Sequence, residues 1–332
     1  MTNQDYQAIR SLLAEPKRIA IVPHRSPDGD AMGSTLAIYH LVKKLGHEAT
    51  VIAPNAFPYS LKWLPSSETV VIYEEQREQA TALLEQADVI FTLDFNAFHR
   101  TGEMGEVLAR LKPVYIMIDH HQSPDSYPTY MYSDTSIGST CEMAYTFIQE
   151  AGYADLLDTT IATCIYTGMV TDSGSFRFPS TSPATHRIVA NLLELGVQNG
   201  EVHPALYDNN TYDSLQLLGI CLRNLRIIPA KKTSYSTLSS EELASCNYIK
   251  GDTEGFVNYG LSIRNVHFTA IFIEHKDENM VKISFRSKGD FDVNQFARTH
   301  FNGGGHIHAA GGKSTLSLAE TVAKFEAIVA TL

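Results

Sequence analysis

The sequence predicts an α/β fold, with an amino-terminal doubly wound, mainly parallel sheet and a smaller carboxy-terminal α/β domain. Two observations carry that reading. The apolar runs Val89-Ile90-Phe91-Thr92-Leu93 and Val114-Tyr115-Ile116-Met117-Ile118 lack polar alternation, as strands buried on both faces do. Helix-like stretches separate the strand-like runs of the first half, which implies parallel crossovers. At 332 residues the chain has room for two domains of ordinary size.

The first β-rich run covers 18–23 and ends at His24, and a helical pattern over 31–44 stops at Gly46. Further strands are expected at 49–53, 69–73, 89–93 and 113–118, and helices at 139–151, 159–171 and 183–195. The last helix meets Gly196, a residue suited to a helix C-terminus. The polar, turn-rich stretch 198–210 predicts a boundary, giving a first domain 1–196, a linker 197–214 and a second domain 215–332. A helix over 212–224 leads into the second domain. Strands at 227–230, 233–238, 266–274 and 280–286 follow, then a helix at 293–300, a glycine loop and a terminal helix at 318–331.

Composition narrows the function. Apolar residues make up 44% and charged residues 19%, and no apolar run reaches the roughly 18 residues of a membrane span. The polar, acidic start is not that of a signal peptide. Cys141, Cys164, Cys221 and Cys246 are scattered, as reduced core cysteines of a cytoplasmic protein are. A net charge of −11 argues against long duplex nucleic acid, whose binding needs an extended basic face. A short or mononucleotide substrate fits that balance, and no membrane partner is expected.

Five clusters carry chemistry, three of them directly after a strand-like run: His24 with Asp28-Gly29-Asp30, Asp94, and Asp119-His120-His121. In doubly wound sheets, ligands bind beyond the carboxyl ends of the strands. Asp172 closes an apolar helix, against the helix dipole, so a cation partner explains it better than a cap does. Carboxylates with imidazoles bind divalent cations, and a cation pair clamps a phosphoryl group and activates water. Asp119 can orient an imidazole, the two histidines need not serve one metal, and the helix start after Asp30 would favour phosphate. Asp94 could alternatively cap a helix from Ala97, and Arg100 either meets phosphate or holds Asp94. The Gly303–Gly312 glycines could form an anion nest around His306, with Arg286 just upstream as a phosphate-binding cation.

These motifs resemble those of the DHH phosphoesterase superfamily. His24-x-x-Pro27-Asp28-Gly29-Asp30 is similar to its first motif, Asp94 to the second, Asp119-His120-His121 to the third and Thr171-Asp172-Ser173-Gly174 to the fourth. Arg286-Ser287 with the glycine loop is similar to the DHH-associated carboxy-terminal domain. The two-domain layout resembles the NrnA-type subfamily, oligoribonucleases that digest very short RNAs and remove the 3′-phosphate of pAp. The resemblance implies two manganese ions, with magnesium an alternative. One would be held by His24, Asp28 and Asp94, the other by Asp30, Asp94, His120 and Asp172, with Asp94 common to both. It implies that His121 contacts phosphate and that Arg286 and His306 grip the substrate's phosphate from the second domain. Ser287, Gly304, Gly305 and Arg100 are further candidate substrate-binding residues, with the active site expected in the cleft between the domains. Asn96 after Phe95 departs from the small residues common in relatives. The expected activity is hydrolysis of short RNA and pAp by two-metal activation of water. A cyclic di-AMP or pApA phosphodiesterase, a RecJ-like exonuclease and a non-catalytic nucleotide sensor remain alternatives, as do a monomer and a homodimer.

Overall fold

The apolar runs form the central strands of a six-stranded sheet. The structure is a computed structural model that describes all 332 residues, Met1–Leu332. It divides into two compact units, Met1–Asn209 and Asn210–Leu332. In chain order the first unit contains α1 (Asn3–Leu12), β1 (Arg18–Val22), α2 (Gly29–Lys44), β2 (Glu48–Ala53), β3 (Val71–Ile72), α3 (Arg77–Gln86) and β4 (Val89–Leu93). It continues with α4 (Met104–Arg110), β5 (Val114–Asp119), β6 (Tyr130–Ser133), α5 (Thr140–Glu150), α6 (Thr159–Asp172), α7 (Pro183–Glu194) and α8 (Asn199–Tyr207).

The strand order is β3-β2-β1-β4-β5-β6, and every pair is parallel. The order reverses between β1 and β4, which makes the space beyond their carboxyl ends the topological switch point of the sheet. Both faces are covered. Ile19, Ile21, Val89, Phe91, Leu93, Ile116 and Ile118 pack under residues of α2, α5 and α6. Ala20, Val22, Ile90 and Tyr115 pack with Ala80 and Leu84 of α3 and Met104 and Leu108 of α4. Burial on two faces is why β4 reads as a near-continuous apolar run, with every residue from Val89 to Leu93 buried.

The second unit contains α9 (Tyr212–Arg223), β7 (Arg226–Ile228), β8 (Thr233–Leu238), α10 (Ser240–Ser245), α11 (Phe256–Leu261), β9 (Phe268–His275), β10 (Met280–Ser287), α12 (Val293–His300), β11 (Gly304–Gly305), β12 (Ala309–Ser314) and α13 (Leu318–Thr331). Its sheet runs β11-β12-β10-β9-β8-β7 and is mixed, with only β8 and β9 parallel. An aromatic core of Phe268, Phe272, Phe285, Phe296, Phe301 and Phe325 fills one face.

Three expectations change. The stretch expected as a linker, 197–214, holds α8 and the start of α9, because Val197 and Val202 are buried in the core of the first unit and order the chain there. The strand expected at 69–73 shortens to Val71–Ile72 at the sheet edge, with a 3-10 turn at Ser67–Thr69 before it. Edge strand β6 was not anticipated, since Tyr130–Ser133 is half-exposed and lacks an apolar run.

Helices α2 and α6 cross closely because glycine lines the contact. A Cβ on Gly33 would lie 2.5 Å from the Cys164 carbonyl oxygen and 2.9 Å from Cys141 Sγ. A backbone carbonyl inside a helix cannot step aside, so Gly33→Ala should destabilise the protein by about 1–3 kcal/mol. Urea unfolding measures this, and an unchanged midpoint would contradict the close crossing.

Candidate active site

The carboxyl ends of β1, β4 and β5 deliver His24, Asp94 and Asp119-His120-His121 to one place. The loop after β1 is pinned by Ser26 N–H on Asn55 Oδ1 at 2.6 Å and by Arg25 N–H on the Arg100 carbonyl at 2.8 Å. Asp28 then caps α2, its Oδ1 accepting from the amides of Asp30 and Ala31 at 3.0 and 3.1 Å. Those two amides are thereby committed to Asp28 and are not free for a phosphate at this helix start. The second oxygen of Asp28 faces His24 Nε2 at 3.9 Å, so cap and site member coexist in one carboxylate. Asp94 does not cap a helix; a 3-10 turn at Phe98–Thr101 follows it. Its backbone is left-handed, φ +65°, a strained state that persists where surrounding bonds hold it.

Asp94 stands between two imidazoles. Its Oδ2 is 3.3 Å from His24 Nε2, and its Oδ1 is 3.5 Å from His120 Nε2. His120 Nε2 also lies 3.8 Å from Asp30 Oδ2 and 3.4 Å from Asp172 Oδ2. Two groups of potential ligands therefore gather, His24 with Asp28 and Asp94, and Asp30 with His120 and Asp172; within each, the ligand atoms lie within 4.8 Å of one another. The Nδ1 atoms of both histidines approach backbone carbonyls, Arg25 O at 2.9 Å and Ile137 O at 3.1 Å. A carbonyl only accepts, so Nδ1 carries the proton and Nε2 is aimed at the carboxylates. This donor set suits a borderline divalent cation. Asp119, fully buried, accepts from the His121 amide at 3.0 Å and its Nδ1 at 2.7 Å, fixing that ring.

Three supports escaped the sequence reading. The start of α5 donates to Asp30 twice, Thr140 N–H to Oδ2 at 2.6 Å and Cys141 N–H to Oδ1 at 2.8 Å. Thr140 Oγ1 donates to Asp94 Oδ1 at 2.9 Å, so one residue orients both carboxylates. Asn96 Nδ2 clamps the carbonyls of His121 and Gln122, both at 3.0 Å, which gives that departure a structural role. The expected helix start near residue 139 was the only signal for the first two; Asn96 stood out in the sequence only as a departure from relatives, with no sign of its partners.

Without cations the cluster is held by protons. Burial pushes the Asp30 carboxyl well up, and the charges of Asp94 and Asp172 push the same way. Burial likewise raises Asp172 to about 7 against the opposing charge of His120. Burial would raise Asp94, but bonds from His120 and His24 hold it well below the usual carboxylate range. Burial disfavours the charged forms of His120 and His24, yet the Asp94 bond and neighbouring carboxylates raise both. Cations binding here must displace protons.

Arg100 makes no ion pair with Asp94 or any other carboxylate, which disfavours the reading that it holds Asp94. Its charge does act on both His24 and His121. In the second unit, Arg286 is the penultimate residue of β10 and its Nη1 donates to the Phe285 carbonyl. Ser287 is buried, with Oγ against the Phe291 carbonyl and His308 Nδ1 at 2.5 and 3.1 Å, so this hydroxyl belongs to the fold. Gly304 and Gly305 form β11 beside β12. The amides of Gly303, Gly305 and His306 bind Ala297 O, Asn294 Oδ1 and Ala309 O, so the expected anion nest is replaced by a hairpin.

Known proteins share this arrangement of domains. Residues 18–169 match the DHH family, N-terminal domain, and residues 241–331 match the DHHA1 domain. The bifunctional oligoribonuclease and PAP phosphatase NrnA of Thermus thermophilus is 31% identical over 297 residues, 88% of this chain and 83% of that one. The chain belongs to the DHH family. The bifunctional oligoribonuclease and PAP phosphatase NrnA of Bacillus subtilis is 26% identical over 87% of this chain and 86% of that one. The crystal structure of an exopolyphosphatase-related protein from Bacteroides fragilis is 38% identical, with a TM-score of 0.94 over 99% of this chain and 96% of that one. DHH proteins are metal-dependent phosphoesterases, and this chain is a phosphoric ester hydrolase of that kind. No helix is long and apolar enough to cross a membrane.

Two expectations follow. Thr140→Val keeps the amide bond to Asp30 and loses the hydroxyl bond to Asp94, so manganese affinity measured by titration calorimetry should fall about 10–100-fold, with Thr140→Ser restoring it. Metal-free protein should lose stability as pH rises from about 5 to 8. The raised acids Asp30 and Asp172 bind more protons folded than unfolded, and the raised His24 and His120 act in the same direction. Thermal unfolding in chelator checks the slope, and saturating manganese should flatten it.

Proposed function

We propose that this protein hydrolyses very short oligoribonucleotides to mononucleotides and removes the 3′-phosphate of pAp, using two divalent cations, manganese in preference to magnesium. The observation that carries the reading is the Asp94 carboxylate, one oxygen toward His24 Nε2 and the other toward His120 Nε2. Shared carboxylates of this kind belong to paired-metal sites, and the similarity to the NrnA proteins supplies the substrate class.

In this reading His24, Asp28 and Asp94 hold one cation, and Asp30, Asp94, His120 and Asp172 the other. Bound cations would polarise the phosphoryl group and make water a nucleophile near neutral pH. His121, its Nδ1 fixed by Asp119, presents Nε2 to a phosphate oxygen. Arg100 neutralises charge on the same group. Arg286 and His306 are proposed to grip the substrate phosphate, with Gly304 and Gly305 shaping the hairpin that carries His306. Ser287 acts only by positioning that hairpin through its bond to His308. The cytoplasm, where pAp and RNA fragments arise, is the proposed location.

Product formation with manganese on pAp, a 5′-phosphorylated RNA dinucleotide, a long RNA, cyclic di-AMP and inorganic polyphosphate tests the reading. Fast turnover of pAp and the dinucleotide is expected, and Asp94→Asn should reduce both to background with the fold retained. Preference for cyclic di-AMP would make this a signalling phosphodiesterase. Preference for polyphosphate would favour the activity suggested by the name of the Bacteroides structure.

A further inference from the structure

Three segments far apart in sequence converge at one end of the second sheet. Strand β8 begins after Lys231 and Lys232, β9 after Arg264 and His267, and β10 ends at Ser287 before Lys288. Backbone bonds place these residues side by side. His267 N–H donates to the Lys232 carbonyl at 2.7 Å, and Lys288 N–H donates to the His267 carbonyl at 3.0 Å. Neighbouring strands lie about 4.8 Å apart, so the three residues form a row spanning roughly 10 Å. Lys288 Nζ reaches the Leu261 carbonyl at 3.0 Å, which ties the row to the loop carrying Arg264.

Lys232, Arg264, His267 and Lys288 are exposed, and Lys231 is half-exposed. None of the five forms an ion pair with a carboxylate. Three exposed cations of this unit do, Arg223 with Glu242, Lys276 with Glu241 and Lys282 with Glu278, while Arg226, Lys250, Arg298, Lys313 and Lys324 also pair with no carboxylate. What sets the row apart is that backbone bonds line its residues up. The segments 229–237, 260–269 and 284–289 contain no Asp or Glu, in a chain of net charge −11. Along β10, Arg286 and Lys288 alternate with the buried Phe285 and Ser287, so both face away from the phenylalanine core. The unpaired row is thus continuous with Arg286.

We propose that this row is a subsite for the phosphodiester chain of a short single-stranded RNA, beyond the phosphate met by Arg286. The inference rests on the short-RNA reading of the protein. Such a subsite adds affinity for each further phosphate of an oligonucleotide and none for pAp. It reads charge rather than sequence, because phosphate contacts carry no base information.

The test is equilibrium binding of a fluorescent RNA pentanucleotide to the full chain in chelator, so that nothing is cleaved, across a range of salt. The combined variant Lys231→Gln, Lys232→Gln, Lys288→Gln should bind about tenfold more weakly. Its slope of log affinity against log salt should be smaller by about 2, at roughly 0.7 per cation lost for a single strand. Lys276→Gln, at a paired lysine elsewhere in the unit, is the control and should match wild type. Should the combined variant unfold, Lys232→Gln and Lys288→Gln singly should each lower the slope by about 0.7. Wild-type binding insensitive to salt, or variants with unchanged affinity and slope, would overturn the subsite. Failure of the short-RNA reading shows separately, as wild type that binds the pentanucleotide with this salt dependence but cleaves neither it nor pAp.

Discussion

Everything in the first unit serves one electrostatic problem: Asp30 and Asp94 are almost fully buried, within a few ångströms of Asp172 and half-exposed Asp28. Buried like charges of this density cannot all ionise without compensation. Two imidazoles, three donors from the start of α5 and bound protons compensate in the absence of cations. Each compensating group also fixes a carboxylate in the orientation a cation needs. A donor set held ready costs little reorganisation when metal arrives, and the protons it releases link metal affinity to pH.

The sheet makes that density attainable. Parallel strands send their carboxyl ends in one direction, and the reversal of order between β1 and β4 opens a gap there for side chains rather than another helix. Helix α2 starts at this gap and α6 ends at it, so Asp28 and Asp30 enter from one helix and Asp172 from the other. Their close crossing depends on glycine. A Cβ at Gly168 would meet Cys141 Sγ at 2.2 Å and Asp30 Oδ1 at 2.8 Å, so that glycine guards both the packing and the carboxylate.

The second unit divides the labour differently. Its glycine hairpin consumes its own amides in β11 and β12, so those amides are not free to bind an anion. The global charge of −11 conceals the cationic row at one end of its sheet, because it sums 37 acidic against 26 basic residues over the whole chain and carries no information on where they lie.

The core strands, the major helices and the metal-ligand candidates were legible in the sequence, because burial on both faces and polar residues at strand ends leave local signatures. Val89–Leu93 and Thr233–Leu238 appear as read. Local signatures fail where the deciding contact is distant. Thr140 matters through Asp30, 110 residues away, and through Asp94, 46 residues away. The helix Asn199–Tyr207 forms in a polar stretch because two valines find the core. The amides after Gly303 looked available because their partners, Ala297, Asn294 and Ala309, could not be assigned from spacing. By itself the sequence determined the chemistry, since residue type and position after a strand decide which ligands are offered. Only the tertiary structure decided the strand order that gathers them, the split of Asp94 between two histidines, and the row formed by Lys232, His267 and Lys288, because each depends on hydrogen bonds between segments that share no local pattern.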